Sequence, residues 1–165
     1  DGYSDVSVYN NLANCKVMIG DQRHVRELLD EGIAQDPAPY QLYLNRALLE
    51  LTQAQQQQDE LPESACDDID RAIERSPPNG ELHYIAAHLH ALRSRHDPLH
   101  SAPALDHLAN ACRRGFRASK QSILQDPNFA SLREHPRFIA LLDGKVASAP
   151  DHFPDRILDP LPKIR

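Results

Sequence analysis

The sequence predicts an all-α protein assembled from about three antiparallel helix pairs, and three observations predict it. Apolar residues recur at three- and four-residue steps in one segment after another, the spacing of a single helix face. The composition is 5% aromatic, without Trp and with only 6 Gly, and this favours helices over a sandwich or barrel. A longer interval is also present: Tyr9 and Tyr43 stand 34 residues apart, as do Ala13 and Ala47.

The first element is expected from about Val6 to Ile19, with Val8, Leu12, Cys15 and Ile19 on its inner face. Gly20-Asp21 interrupts it, and Asp21 is placed to cap a second helix over about Gln22 to Gln35. Val25, Leu28, Leu29 and Ile33 face inward there, and Asp36-Pro37 ends the helix because a residue before proline is pushed out of the α region. So short a turn between two helices makes them antiparallel neighbours. The second pair begins with Tyr40 to about Ala54, periodic in Leu42, Leu44, Leu48, Leu49 and Leu51, and continues in a polar extension through Glu60. Pro62 suits the first turn of its partner helix, about Glu63 to Arg75, which Ser76-Pro77-Pro78-Asn79-Gly80 stops. A third pair is expected over Glu81 to about Ser94 and Pro103 to Arg114, with Gly115 at the closing C-terminus.

Aligning the second helices of the pairs gives three columns. Leu29, Ile69 and Leu108 form one, Gly32, Ala72 and Ala111 the next, and Ile33, Ile73 and Cys112 the third. Small residues in one column let helices approach, and large apolar residues beside them fill the space.

Two stretches resemble a known family. Tyr43-Leu44-Asn45-Arg46-Ala47, followed by the helix from Ala65 to Ile73 and by Ser76-Pro77, resembles the bacterial form of the tetratricopeptide repeat (TPR). The run from Gly115-Phe116 through Asp126-Pro127, Phe129, Leu132, Pro136 and Phe138 to Leu142 resembles the segment that closes such arrays. The resemblance implies a right-handed αα-superhelix, a TPR-like solenoid. Its pairs would occupy about residues 6–37, 40–77 and 80–115, with a cap over 116–146 and a Pro-rich extended tail over 147–165. Ile123, Leu124, Phe129, Leu132, Phe138, Ile139, Leu141 and Leu142 supply the apolar surface for the cap, since a repeat array needs terminal units to cover its last face.

The same resemblance implies a module that binds a peptide or partner protein in a concave groove lined by the first helix of each pair. By register the groove takes Asn10 and Asn14 from pair one, Gln41, Leu44, Asn45 and Leu48 from pair two, and Glu81, Tyr84 and His88 from pair three. TPR proteins that clamp a chaperone's C-terminal carboxylate pair two asparagines with basic residues. Asn14 and Asn45 match the asparagines, but Asn10, Glu81 and Ile85 occupy the basic positions, so that electrostatic hold is missing. The tail, with Pro150, Pro154, Pro160 and Pro162 among Phe153, Ile157, Leu158, Leu161 and Ile164, is expected to lie along its own array or to mediate self-association.

Bulk properties exclude several other classes. The 165 residues suit one helical domain and carry a net charge of −6, unlike the basic face of a nucleic-acid binder. No apolar run approaches the roughly 18 residues of a membrane span. Cys15, Cys66 and Cys112 form no CxxC pair and read as small buried apolar residues, which leans towards a reducing, cytoplasmic setting; a periplasmic or membrane-tethered longer protein is the other reading. There is no Gly-x-Ser-x-Gly elbow and no phosphate-binding glycine loop, so no catalytic residue and no cofactor is expected. Asp67, Asp68 and Asp70 read as a solvated helix face. His83, His88, His90, His96, His100 and His107 crowd one region. Their spacings give no i,i+4 pair on a continuous helix, so no metal site is assigned, and a regulatory domain binding a small molecule or metal near the third pair is the alternative function.

Overall fold

The structure is a computed structural model and describes residues 6–18 and 24–144. Every regular element among these residues is helical: α1 (Val6–Met18), α2 (Val25–Gln35), α3 (Tyr40–Gln57), α4 (Glu63–Arg75), α5 (Gly80–Arg93), α6 (Ser101–Arg113), α7 (Lys120–Gln125) and α8 (Pro136–Leu142). Two 3-10 segments, Pro98–His100 and Pro127–Leu132, lead into α6 and α8. The all-α class is therefore as expected. The tail over 147–165, Ile19 and the Asp21 cap lie outside the described residues.

Local chemistry explains most boundaries. Asn79 caps α5, its side-chain oxygen accepting from the backbone nitrogens of Glu81 at 2.9 Å and Leu82 at 3.4 Å. Asp97 and Asp126 cap the two 3-10 segments in the same way, each followed by a proline whose missing N–H costs nothing at a first turn. Gly115 follows α6 at φ +79°, and the Phe116 amide donates back to the Ala111 carbonyl at 3.0 Å, closing the end of the helix. The polar extension after Ala54 is in its first part a helix end, and the start of α2 differs from expectation. Helix α3 runs on through Gln55–Gln57 and stops at Gln58 in the left-handed region (φ 58°), and α2 starts at Val25 behind His24, also left-handed.

Successive helices pack on one another: α1 on α2, α2 on α3, α3 on α4, α4 on α5, and α5 on α6. The core divides in the same sequence. Ala13, Val25, Leu29, Leu42 and Leu49 form the first cluster, and a second runs from Tyr43 and Ala47 through Cys66 and Ile69 to Leu89. The third joins Ala87, Ala91, Leu105 and Leu108 to Ile123, Phe129, Leu132 and Phe138 of the closing segment. The aligned columns reappear as burial: Leu29, Ile69 and Leu108 are buried, as are Gly32, Ala72 and Ala111, while Ile33, Ile73 and Cys112 are half-buried. At Gly32 a Cβ would meet the Tyr9 Cβ at 3.0 Å and Leu42 Cδ1 at 3.1 Å, so a glycine is what lets α1 and α3 close on α2.

Helix α1 corrects one expectation. Val8 is 59% exposed and Leu12 43% exposed, and Cys15 is exposed as well. The face turned to α2 and α3 instead carries Tyr9, Ala13 and Val17. Cys66 alone of the three cysteines is buried; Cys112 is half-buried. In the closing segment Phe129, Leu132 and Phe138 are buried as expected, but Leu124 and Ile139 face solvent, because six- and seven-residue helices bury only one narrow stripe.

Candidate functional site

Six groove candidates sit on two of the expected first helices, α1 and α3. Asn45 of α3 donates from its amide nitrogen to Asn10 Oδ1 at 2.7 Å and to Asn14 Oδ1 at 3.1 Å, both on α1. Asn14 and Gln41 are exposed, and Asn10 and Asn45 half-buried. The amide nitrogens of Asn10 and Asn14 and the Asn45 oxygen keep hydrogen-bonding capacity unused among the described residues. Leu44 and Leu48 are half-buried against the second core cluster, together with Ile85 of α5.

The third-pair candidates fare differently. Glu81 is exposed. Tyr84 stacks on Phe116, with ring centroids 4.1 Å apart, and lies 6.0 Å from Phe129. Burial, with the Asp126 carboxylate near it, pushes the Tyr84 phenol well above its ordinary range. His88 corrects the reading more sharply, being buried at 8% exposure under the closing segment. Its ring lies 4.8 Å from Phe129, and its Nε2 is 2.8 Å from Asp126 Oδ2 but out of line for a hydrogen bond. Burial alone would raise the Asp126 carboxyl; His88 and the Asn128 backbone amide outweigh that and hold it below the usual range. The far end of the expected groove is thus covered by the chain's own residues 116–132.

The run Asp67-Asp68-Asp70 is not one solvated face. Asp67 is exposed, but Asp68 is 2% exposed and receives a two-pronged bond from Arg46, Nε to Oδ2 at 2.6 Å and Nη2 to Oδ1 at 2.7 Å. Arg46 also reaches Asp30 at 2.5 Å, so one guanidinium ties α2, α3 and α4 together, and these carboxylates hold its pKa far above the ordinary value. Glu50, buried on α3, accepts from Ser64 at 2.8 Å and from Arg26. The run Tyr43–Ala47 and the helix from Ala65 to Ile73, the two parts of the first stretch that carries the resemblance, are therefore joined by an ion pair.

Asp70 has a third role, at the centre of a chain of imidazoles. It lies 3.0 Å from His107 Nε2 and 3.4 Å from His90 Nε2. Across the rings, His107 Nδ1 faces His83 Nδ1 at 3.0 Å and His90 Nδ1 faces His100 Nδ1 at 2.9 Å. Burial alone would raise the Asp70 carboxyl, but the hydrogen bonds from His107 and His90 more than reverse this and hold it far below its usual range. The rings of His90 and His107 stack at 5.3 Å. Burial, with His107 adding to it, pushes His83 down to about 4, and burial with His90 lowers His100. The thiol of Cys66 lies beside this chain, and burial, followed by the charge of Asp70, pushes it up to about 12. Two sets of three donor atoms fall within 4.8 Å of one another: Cys66, His90 and His100, and Asp70, His90 and His107.

The spacing argument did not anticipate this convergence of side chains. An i,i+4 pair is one way to put two histidines on a helix face, but two full turns, seven residues, is another. His83 and His90 are related in this way on α5, and His100 and His107 across the entry to α6. Antiparallel packing then sets His83 against His107 and His90 against His100, while Cys66 and Asp70 present an i,i+4 pair from α4. The paired seven-residue spacing was the available signal. His96, in the loop, points towards Glu60 at 4.0 Å and is not part of the cluster.

Comparison with known proteins gives no matching family model, no matching curated protein and no matching solved structure. What is shown is an all-α chain in which no described helix is long and apolar enough to cross a membrane.

Proposed function

We propose that this chain is a protein-interaction module of the TPR-like solenoid type, acting by binding rather than catalysis. It takes an extended segment of a partner polypeptide along the first helices of its first two pairs. The observation that carries this reading is the amide row of Asn10, Asn14 and Asn45. It bridges α1 and α3, stays open to solvent in part, and retains both donors and an acceptor suited to a peptide backbone. Half-buried Leu44 and Leu48 lie on the same helix as Asn45 and offer an apolar contact beside it. The division of the core into consecutive clusters, each built from chain neighbours, supports the repeat architecture. With a net charge of −6 and Glu81 exposed on α5, the preferred segment is neutral or basic.

Panning a random peptide library against the full chain tests this. Selected peptides should lose about tenfold or more in affinity on the double variant Asn14→Ala/Asn45→Ala, with the thermal midpoint of the protein little changed. Peptides that bind the double variant as tightly as the wild type would place the binding face elsewhere and reject the proposal.

A further inference from the structure

We propose that Cys66, His90 and His100 form a binding site for a divalent transition-metal ion of the zinc type, with Asp70 as the positioning residue. The three donors come from three different elements, α4, α5 and the 3-10 segment before α6, and their ligand atoms lie within 4.8 Å of one another. A tetrahedral ion with metal–nitrogen bonds of about 2.0–2.1 Å and a metal–sulfur bond of about 2.3 Å spaces its donors roughly 3.3–3.6 Å apart. The His90–His100 nitrogens, at 2.9 Å, need open only by a few tenths of an ångström to accept it. Cys66 is 1% exposed and His90 3%, so the set is held by packing, while His100 stands at the margin beside the exposed loop and Leu99.

Asp70 makes this more than proximity. When its carboxylate accepts the proton on His90 Nε2, the neutral ring presents a lone pair at Nδ1, the atom that faces His100. Carboxylate-to-histidine bonding of this kind fixes the tautomer and orientation of metal-ligating imidazoles. Two Nδ1 atoms 2.9 Å apart require a proton or a cation between them. Cys66 beside that pair makes the cation a soft or borderline one, since a thiolate with imidazoles selects zinc-like ions over magnesium or calcium. Loading displaces the Cys66 thiol proton to solvent and shifts the His100 ring proton from Nδ1 to Nε2, the ion keeps its oxidation state, and the fourth position is left to a solvent molecule. The second triad, Asp70 with His90 and His107, engages His90 through its other nitrogen side, so the two are distinguishable by which residues binding depends on.

The test uses the full chain stripped with a chelator and titrated with Zn²⁺ by calorimetry and with Co²⁺ by absorption spectroscopy. One equivalent should bind, and the cobalt form should show a thiolate-to-metal charge-transfer band in the near ultraviolet with tetrahedral d–d bands. Cys66→Ser should abolish the charge-transfer band. His100→Gln, at the margin of the cluster and so tolerant of folding, should weaken Zn²⁺ binding tenfold or more. Asp70→Asn should weaken it by about 10- to 100-fold while leaving the charge-transfer band in place at saturation. His96→Gln should bind as the wild type does. Absence of saturable binding overturns the proposal. So does binding without a thiolate band, or binding that is lost in His107→Gln but kept in His100→Gln, which would place the ion in the other triad.

Discussion

Three carboxylates within four residues of α4 meet three different environments, and single residues here are decided by what neighbouring helices bring to them. Asp67 is solvated, Asp68 is buried against Arg46, and Asp70 bonds to His90 and His107. Removing one partner of a buried pair leaves an uncompensated charge, at a cost of about 3–5 kcal/mol. Asp68→Ala should fall at the lower end, about 3 kcal/mol, because Arg46 keeps Asp30; Asp67→Ala should stay within about 0.5 kcal/mol. Urea denaturation of the two variants checks this, and equal losses would mean that the Arg46 bond contributes nothing particular. The sequence showed that α4 is amphipathic, and its bounds follow directly from Pro62 and the Ser76-Pro77 stop. It could not separate the three aspartates, since Arg46 lies 22 residues away and His90 a further helix on.

At the scale of an element, α1 shows which kind of periodicity is to be believed. Val8, Leu12 and Cys15 recur at helical steps, yet that stripe is the exposed one. The 34-residue interval pointed to the other face, because Tyr43 and Ala47 are buried on α3 and Tyr9 and Ala13 occupy the equivalent places on α1. A short helix with apolar residues on two faces gives local spacing nothing to choose between, whereas a repeat carries the choice over from a better-defined neighbour. Leu12→Lys should therefore change stability by no more than about 0.5 kcal/mol. Ala13→Leu, adding bulk where α1 meets Leu29 and Leu42, should cost about 1–3 kcal/mol. Thermal unfolding of both variants decides the matter; a larger loss at Leu12 would restore the stripe that the local pattern suggested. The histidine cluster has the same lesson, as its signal was a seven-residue spacing on α5 repeated across the entry to α6, and the side chains came together only through the antiparallel packing of these elements.

Across the whole molecule, the core is a succession of clusters rather than one centre. Leu42 and Tyr43, adjacent in α3, enter different clusters, as do Ala86 and Ala87 in α5, so these two helices are the joints through which neighbouring clusters communicate. For the repeat architecture proposed above, stability approximates a sum of units and nearest-neighbour interfaces, and damage at one end should fade with distance along the chain. Phe129 is the sharpest place to apply it: fully buried, it lies against Phe138, His88 and Tyr84 and fastens the closing segment to α5. Truncating it removes about 3–5 kcal/mol of packing. Hydrogen exchange on Phe129→Ala should show backbone protection falling most in α6, α7 and α8, less in α5, and least in α2 and α3, whose buried apolar residues belong to the first two clusters. The Asn14–Asn45 bond should persist in that variant, so peptides selected on the amide row should bind it with affinity within a few-fold of wild type. A uniform loss of protection from α2 to α8 would mean that the clusters unfold as one unit, and that the closing segment stabilises the amide row as much as it stabilises α5.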